Sequence, residues 1–218
     1  MRLTEAKLKQ LISEVLEEGM KTIADLPENV FIKIDGSLGD LIEIYYSDAN
    51  GLEYEKFLSS ESPTSVNDKN SKGGGAIGLD TEVQMSREFP CLNAMMIAFS
   101  AAEKGWGPLL YDIAIELATL KGGGLVADRT VVSNLAYDVW DKYENTRSDV
   151  EFTQLDNEQD SFENGNQDDC LQYSAYKWAK RNSTTWLETP ISKLYRKEPT
   201  TIQSLKNSGK LIVKGIDI

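Results

Sequence analysis

The sequence predicts a mixed α/β (α+β) fold in which a central mixed sheet is flanked by helices. Three observations support this prediction: apolar runs of strand length, amphipathic runs with helical spacing, and glycine-rich turns between them. The clearest succession is residues 91–145, where strand, glycine turn, helix, strand and helix follow one another. Such a βαβα unit places its two strands parallel, or nearly so, in one sheet.

The first elements are predicted from hydrophobic spacing. Residues 3–18 are predicted to form an N-terminal helix, because apolar side chains recur on one face and Glu and Lys fill the other. This helix would pack on the core or dock on a larger assembly, and the sequence favours neither. Strands are predicted over 30–34 and 41–46, and the turn signals that follow them indicate an antiparallel pair.

The middle of the chain predicts the core of the sheet. Residues 59–75 are rich in Ser, Asn, Lys and Gly and predict a loop, and residues 76–79 predict a short strand. The run 91–99 is continuously apolar, which is typical of a central strand covered on both faces. A helix is predicted over 108–120, with Pro108 in its first turn, where a missing N–H costs nothing.

The remaining elements complete the predicted domain. Residues 125–127 predict a short buried strand, and Ser133 is a natural N-cap for the next helix. Residues 153–169 are acidic and Asn/Gln-rich and predict a solvated loop, whereas residues 186–218 show no clean period. We therefore expect an N-terminal helix (1–25), a central domain (26–150) and an irregular C-terminal extension packed on that domain (151–218).

The amino-acid composition excludes several classes of partner and of catalytic site. The net charge of -12 argues against a non-specific nucleic-acid or anionic-membrane surface, because both reward Lys and Arg. The chain has no histidine, which excludes Ser-His-Asp and Cys-His catalytic units and argues against a transition-metal site. Cys91 and Cys170 are far apart and are expected to be reduced thiols. No apolar run reaches membrane-spanning length, and we expect no signal peptide.

A Gly-x-Gly turn lies between the apolar strand and its helix, in the segment EKGWGPLL at residues 103–110. Glycines let backbone amides approach a ligand closely, and the unpaired N–H groups and positive dipole end of a helix favour phosphate. The segment therefore predicts a site for a pyrophosphate-bearing cofactor. A P-loop is excluded because no Lys-Ser/Thr follows the turn, so a nucleotide-binding module is a weaker alternative.

This βαβα unit with its glycine turn resembles the GNAT superfamily of acyl-CoA N-acyltransferases. The family binds the acyl-CoA pyrophosphate with backbone amides of a Q/R-x-x-G-x-G/A turn, and residues 102–107 match it; residues 133–140 match the second helix. The chain is also similar to a narrower set of phage-encoded GNAT-like proteins. The stretches that carry this likeness are 3–12, 105–112, 127–129, 139–140, 147–150, 154–156 and 168–170.

The resemblance implies a GNAT-like fold and a direct transfer of an acetyl group from acetyl-CoA to a small-molecule or protein amine. It implies a location in the cytoplasm of the host cell or in the phage virion, with no nucleic-acid or membrane partner and no metal. The cofactor-binding residues that it implies are Phe99, Glu103, Lys104, Gly105, Trp106, Gly107, Leu109, Ser133 and Asn134.

Acyl transfer needs a base for the amine, a donor for the oxyanion and an acid for the thiolate. In the family, the oxyanion donor is a backbone N–H of the strand before the turn, here between Ile97 and Ser100. Glu82 and Asp80 are candidate bases, although surface carboxylates are common in a chain with 35 acidic residues. Ser100 is a candidate to hold water or the thiolate, with a plain turn residue as the simpler interpretation. Tyr143 is the candidate acid.

Some positions depart from the family pattern. Ala102 occupies the Q/R position, so a side-chain contact to phosphate is missing. Trp140 stands where many members have an acidic Tyr, and an indole cannot give up a proton at neutral pH. These departures support the alternative function, a catalytically silent GNAT-fold structural or interaction protein of a phage particle. Its partners would be phage structural proteins.

Three further side chains have more than one interpretation. Trp106 inside the turn is expected to pack, ahead of plugging a cofactor channel, stacking on an adenine or binding a partner. Asp128 and Arg129 end a predicted strand, where such folds place ligands, but a structural salt bridge or a helix-capping role explains them at least as well.

Overall fold

A computed structural model describes residues 20–48, 75–81, 91–103, 105–155 and 172–218. The helices in this part are α1 (Gly107–Lys121), α2 (Asn134–Thr146), α3 (Tyr173–Asn182) and α4 (Thr200–Asn207), with single 3-10 turns at Ile23–Asp25, Trp186–Glu188 and Pro190–Ser192. The strands are β1 (Val30–Asp35), β2 (Leu41–Asp48), β3 (Gly75–Asp80), β4 (Met95–Ala102), β5 (Leu125–Val126), β6 (Val150–Gln154), β7 (Lys193–Lys197) and β8 (Leu211–Lys214).

All these strands form one mixed sheet in the order β6-β7-β5-β4-β3-β2-β1-β8. Strands β1 to β4 pair antiparallel in succession, β4 pairs parallel with β5, and β8 pairs parallel with β1. Strand β7 lies antiparallel between β5 and β6. The predicted fold class, a mixed sheet flanked by helices, is therefore confirmed, as are the antiparallel first pair and the parallel strands of the βαβα unit.

Helix α1 is the central helix of the core. Its sequence indicates one apolar face, but every residue from Leu109 to Ala118 except the half-buried Asp112 is buried, because the helix packs against β3, β7 and α4. Even the charged Glu116 is fully buried there. Its carboxylate accepts hydrogen bonds from the first-turn amides of α4, at Thr201 (2.8 Å) and Ile202 (2.7 Å), and pairs with the ammonium of Lys197. Glu116 thus caps α4 from a neighbouring helix.

The C-terminal segment is more regular than its pattern indicates. Strand β7 is inserted within the sheet and β8 forms one edge of it. The sequence of β7, KLYRK, reads as polar at both ends, yet Lys193 and Lys197 are buried. Each is paired with a carboxylate, Lys193 with Glu144 at 2.8 Å and Lys197 with Glu116. These pairs, which only the folded chain brings together, allow lysine in a buried strand.

Other sequence predictions concern the two cysteines, the N-terminal helix, the long loops and the absence of membrane spans. Cys91 is disulfide-bonded, which corrects the expectation of two reduced thiols; Cys170 lies outside the described residues. The predicted helix over 3–18 also lies outside them, as do most of the loops predicted over 59–75 and 153–169. No helix in the described ranges has the length and apolar character that crossing a membrane requires.

Candidate functional site

A gap opens in the sheet where β4 and β5 separate. Their parallel pairing consists of two residue pairs, Met95 with Leu125 and Met96 with Val126. Strand β5 ends there, whereas β4 continues to Ala102. From Ile97 onwards, that edge of β4 has no strand partner among the described residues. We call the resulting space the β4–β5 cleft.

A bulge interrupts the other edge of β4 at the same level. Leu79 of β3 pairs with Ile97 and Gly78 pairs with Phe99, so Ala98 is an extra residue in β4. A bulged residue is left out of the strand ladder and bends its strand locally. Ala98 is also exposed. The backbone of β4 is therefore irregular beside the cleft, within the stretch in which an oxyanion donor is expected.

A cavity of about 460 Å³, a volume typical of small-molecule sites, lies beside the unpaired part of β4 at residues 100–102, and we include it in the β4–β5 cleft. Its lining comes from the ends of β3 and β4, the glycine turn, the first turns of α1 and the start of α2. Four of the implied cofactor-binding residues line it: Glu103, Gly105, Gly107 and Ser133. The glycine turn and the start of the second helix, which the sequence links to one ligand, thus meet at one cavity.

The two glycines of the turn have different reasons to be glycine. The N–H of Trp106 donates to the carbonyl of Glu103 at 3.0 Å, and Gly105 has a φ of 90°, which L side chains rarely adopt. The turn itself therefore requires Gly105. At Gly107, by contrast, an added Cβ would have as its nearest neighbour the Cβ of Ala102, at 3.8 Å. The fold tolerates a side chain at Gly107, but that side chain would occupy space beside the cavity.

The N-terminus of α1 is open on the side of the turn. Trp106 is the N-cap residue and no side chain caps the helix among the described residues. Pro108 removes one of the first-turn N–H groups, and the others carry the positive end of the helix dipole. This end of α1 can accept an anionic group.

Trp106 packs against the protein, as expected. Its ring meets Tyr46 of β2 edge-on at a centroid distance of 5.0 Å, and its carbonyl accepts a hydrogen bond from the Tyr46 hydroxyl at 3.1 Å. The carbonyl of Gly105 accepts a hydrogen bond from the N–H of Lys21 at 2.9 Å. These contacts fix the turn from outside, and Trp106 is not among the residues that line the cavity.

Ser100 and Tyr111 form a hydroxyl pair in the cavity wall. Ser100 Oγ lies 3.0 Å from the Tyr111 hydroxyl oxygen, and both residues line the cavity. Tyr111 is nearly fully buried, and this burial raises the pKa of its phenol. Sequence reasoning identified Ser100 but missed Tyr111. The available signal was its spacing, because a residue four positions after Gly107 lies one helical turn further along the same face.

Tyr143 lies away from the cleft. Its hydroxyl donates to Asp112 Oδ1 at 2.7 Å and lies 3.1 Å from the carbonyl oxygen of Pro108. Arg147 pairs with Asp112 at 3.0 Å and stands 5.1 Å from the centre of the Tyr143 ring. Burial raises the pKa of the Tyr143 phenol well above its usual value. The structure therefore gives Tyr143 a role in the core and no contact with the cavity.

The second helix presents small apolar side chains to the cleft. Ala136 and Val139 line the cavity, whereas Trp140 is buried with its ring edge-on to Tyr111 at 5.5 Å. Ser133 caps the helix, because its Oγ accepts the N–H of Ala136 at 3.2 Å. Ala136 and Val139 therefore border the cavity on the side of α2, whereas Trp140 belongs to the core.

The other candidate residues lie elsewhere. Phe99 covers Gly78, and Leu109 is buried beside a second cavity, of about 360 Å³, on the opposite side of α1's first turn. Asn134 and Asp80 do not line the β4–β5 cleft. Glu82 and Lys104 lie outside the described residues.

Asp128 organises its own loop. Its Oδ1 accepts hydrogen bonds from the N–H and hydroxyl of Thr130, at 2.7 and 2.8 Å, and from the N–H of Val131 at 3.1 Å. Its carbonyl accepts the Ser174 hydroxyl at 2.6 Å. These bonds hold a local turn and cap no helix, because α2 begins at Asn134 with Ser133 as its N-cap. Arg129 is partly buried, and desolvation lowers its pKa.

No cluster of three or more His, Cys, Asp or Glu side chains that could hold a metal ion occurs within the described ranges. No protein-family model, curated protein or solved structure matches this chain.

Proposed function

We propose that this protein is an acetyl-CoA-dependent N-acetyltransferase that binds its donor in the β4–β5 cleft. The observation that carries the proposal is the meeting of three features at one cavity: the separated strands, the glycine turn and the uncapped N-terminus of α1. Each of these alone is common. Together they place an unpaired strand edge and an anion-accepting turn at one cavity.

The cleft suits a donor with a long amide-bearing arm and a pyrophosphate. The unpaired edge of β4 offers backbone groups that an extended chain of amides can bond as an added strand would. The pyrophosphate then reaches the amides of the turn and the positive end of α1. Gly107 keeps that approach open, because it lacks a side chain where the fold has room for one.

The chemistry is a direct attack of a neutral amine on the thioester carbon. The bulge at Ala98 interrupts the ladder of β4 at the level of the cleft, and a backbone N–H of this stretch is the candidate to stabilise the oxyanion. Ser100 lines the same cavity and is the candidate to meet the departing sulfur. Among the described lining residues, Glu103 is the one that carries a formal charge.

A second candidate is the catalytically silent structural or interaction protein of a phage particle. The specific observation that favours it is the placement of the two residues most relevant to an acid. Trp140 is buried in the core, and the Tyr143 hydroxyl is engaged by Asp112. Such a protein would retain the cleft without turnover, and it would be recovered in purified particles.

The test is a calorimetric titration of the purified protein with acetyl-CoA, followed by an amine screen. We expect binding by the wild type. We expect Gly107→Leu to weaken this binding by at least about tenfold, or about 1.4 kcal/mol, with little change in Tm, because the fold has room at this position but the ligand does not.

The matched control is Gln203→Leu, an exposed change on α4 that does not line the cleft. It should leave the affinity unchanged. Absence of binding by the wild type at millimolar acetyl-CoA would overturn the proposal. Binding without turnover of any amine would favour the structural alternative.

A further inference from the structure

The hydroxyl of Tyr111 is buried, yet it lies at the wall of the cleft. The side chain projects from the second turn of α1 and is 4% exposed. Its oxygen lies 3.0 Å from Ser100 Oγ, at the end of β4. Because a buried O–H without an acceptor costs free energy, this contact to Ser100 satisfies the phenol.

The ring of Tyr111 is held in place by other rings. Trp140 meets it edge-on, with centroids 5.5 Å apart and an interplanar angle of 87°. Tyr143 lies 6.4 Å away, tilted by 35°. Both neighbours are themselves at most 2% exposed, so the Tyr111 ring has little space to change rotamer. The hydroxyl therefore stands at a fixed point relative to β4.

The direction of the hydrogen bond follows from the surroundings of its two partners. Tyr111 is buried and stays protonated at neutral pH, since burial raises its pKa. Ser100 is exposed to the cavity. If Tyr111 donates to Ser100 Oγ, the phenol is satisfied and the serine proton is directed away from it. The reverse direction would leave the buried phenol proton without this acceptor.

We propose that Tyr111 is a positioning residue that directs the Ser100 hydroxyl into the β4–β5 cleft, where that hydroxyl donates a hydrogen bond to the sulfur leaving acetyl-CoA. The inference rests on the proposed function. It assigns stabilisation of the thiolate to α1 and β4, instead of to α2, where Trp140 stands.

Acetyl transfer exchanges one bond to the carbonyl carbon for another. The amine nitrogen lone pair forms the new C–N bond, and the C–S bond breaks with its electron pair passing to sulfur. Ser100 keeps its proton and donates a hydrogen bond to the developing thiolate; charge-assisted hydrogen bonds of this kind are stronger than neutral ones. The proton lost by the amine nitrogen passes to water, and the thiolate takes a proton from water to give the free thiol.

The test measures the pKa of the CoA thiol in the bound state, from thiolate absorbance against pH, which requires no known amine. A donor aimed at sulfur lowers that pKa. We expect Ser100→Ala and Tyr111→Phe each to raise the pKa of the bound thiol by about 1, a tenfold change in the proton equilibrium. The double variant should shift it no further than Ser100→Ala alone, because Tyr111 acts through Ser100.

The matched control is Tyr195→Phe. Tyr195 is also buried, and its hydroxyl donates to the carbonyl of Pro190 at 2.7 Å, away from the cleft. This variant should leave the pKa of the bound thiol at the wild-type value. If an amine substrate is found, Tyr111→Phe should lower kcat and leave KM unchanged, with a smaller loss for thioesters whose thiols are more acidic.

The outcomes separate the two proposals. If CoA binds and the thiol titrates alike in the wild type and in Tyr111→Phe, the role of Tyr111 is refuted and the proposed function stands. If Tyr195→Phe shifts the thiol as much as Tyr111→Phe does, the effect is one of general packing and the inference also fails. If CoA does not bind to the wild type, both proposals fall.

Discussion

Replacing Glu116 by alanine should destabilise the protein strongly, because it removes the nearer of the two carboxylates that pair with a buried ammonium and leaves Asp149, at 3.6 Å, as the other. Glu116 is fully buried on α1, and the Lys197 side chain beside it is 2% exposed. The carboxylate also accepts the N–H groups of Thr201 and Ile202, so it closes the first turn of α4. The change removes the partner of a charge and the cap of a helix at once.

The magnitude follows from these two losses. Removing one member of a buried ion pair costs about 3–5 kcal/mol. Removing an N-terminal cap costs about 1 kcal/mol. Since whole domains are stable by about 5–15 kcal/mol, Glu116→Ala should lose a large fraction of the free energy of unfolding. Glu116→Gln keeps an oxygen acceptor for the α4 amides and should lose less.

Urea denaturation followed by circular dichroism measures these differences, and a double variant tests their origin. Glu116→Leu combined with Lys197→Met removes both charges, so it should cost less than Glu116→Leu alone. The reasoning is refuted if Glu116→Ala costs less than about 1 kcal/mol. It is also refuted if the double variant loses as much as the two single variants added together.

Two further changes test how the candidate site and its surroundings are built. Ser133→Ala removes the acceptor for the Ala136 amide and should lower the free energy of unfolding, measured by urea denaturation, by about 1 kcal/mol. Ser208→Ala, on an exposed turn, should lower it by less. Equal losses for the two variants would count against the capping role of Ser133. Hydrogen bonds from Arg147 lower the pKa of Asp149 to about 2, from 3.8, so this carboxylate contributes stability that is present above about pH 4 and lost as the pH falls towards 2. Asp149→Asn should therefore flatten the fall in Tm over that interval, and an unchanged acid limb would contradict this.

The parts of the fold that depend on local pattern could be predicted from the sequence. The apolar run over 91–99 contains the first part of β4, which begins at Met95 and continues to Ala102, and the glycine turn with Pro108 forms the start of α1. The Ser133 cap likewise begins α2. In each case, neighbouring residues supply the physical reason, namely a run of apolar side chains, a positive φ at Gly105 or a capping oxygen.

The parts of the fold that depend on residues distant in the chain could not be predicted from the sequence. Lys193 and Lys197 look unsuited to an inner strand until Glu144 and Glu116 are placed beside them by the fold. The C-terminal strands therefore carry no readable period, although β7 is inserted within the sheet. Prediction from a pattern uses the spacing within one segment, whereas the carboxylates that pair with these lysines come from residues far along the chain.

The candidate site likewise combines features that could be predicted from the sequence with features that could not. Gly105 and Gly107 could be identified, because glycines between a strand and a helix have a local meaning. Trp106 lies between them, yet its ring turns away to pack on Tyr46. Tyr111 could not be assigned, since its role depends on the approach of Ser100 from a different element. Positions along the motif could be predicted, but the partner of each side chain could not.

Hydrogen exchange with and without saturating acetyl-CoA tests the central claim most directly, because it reports where the ligand lies. The proposal predicts slower exchange on binding at the amides of Ile97–Ala102, along the unpaired edge of β4, and at the first turn of α1. Amides of β8, at the far edge of the sheet, should exchange at an unchanged rate. Protection confined to another part of the chain, or no protection anywhere, would contradict the assignment of the β4–β5 cleft as the donor site.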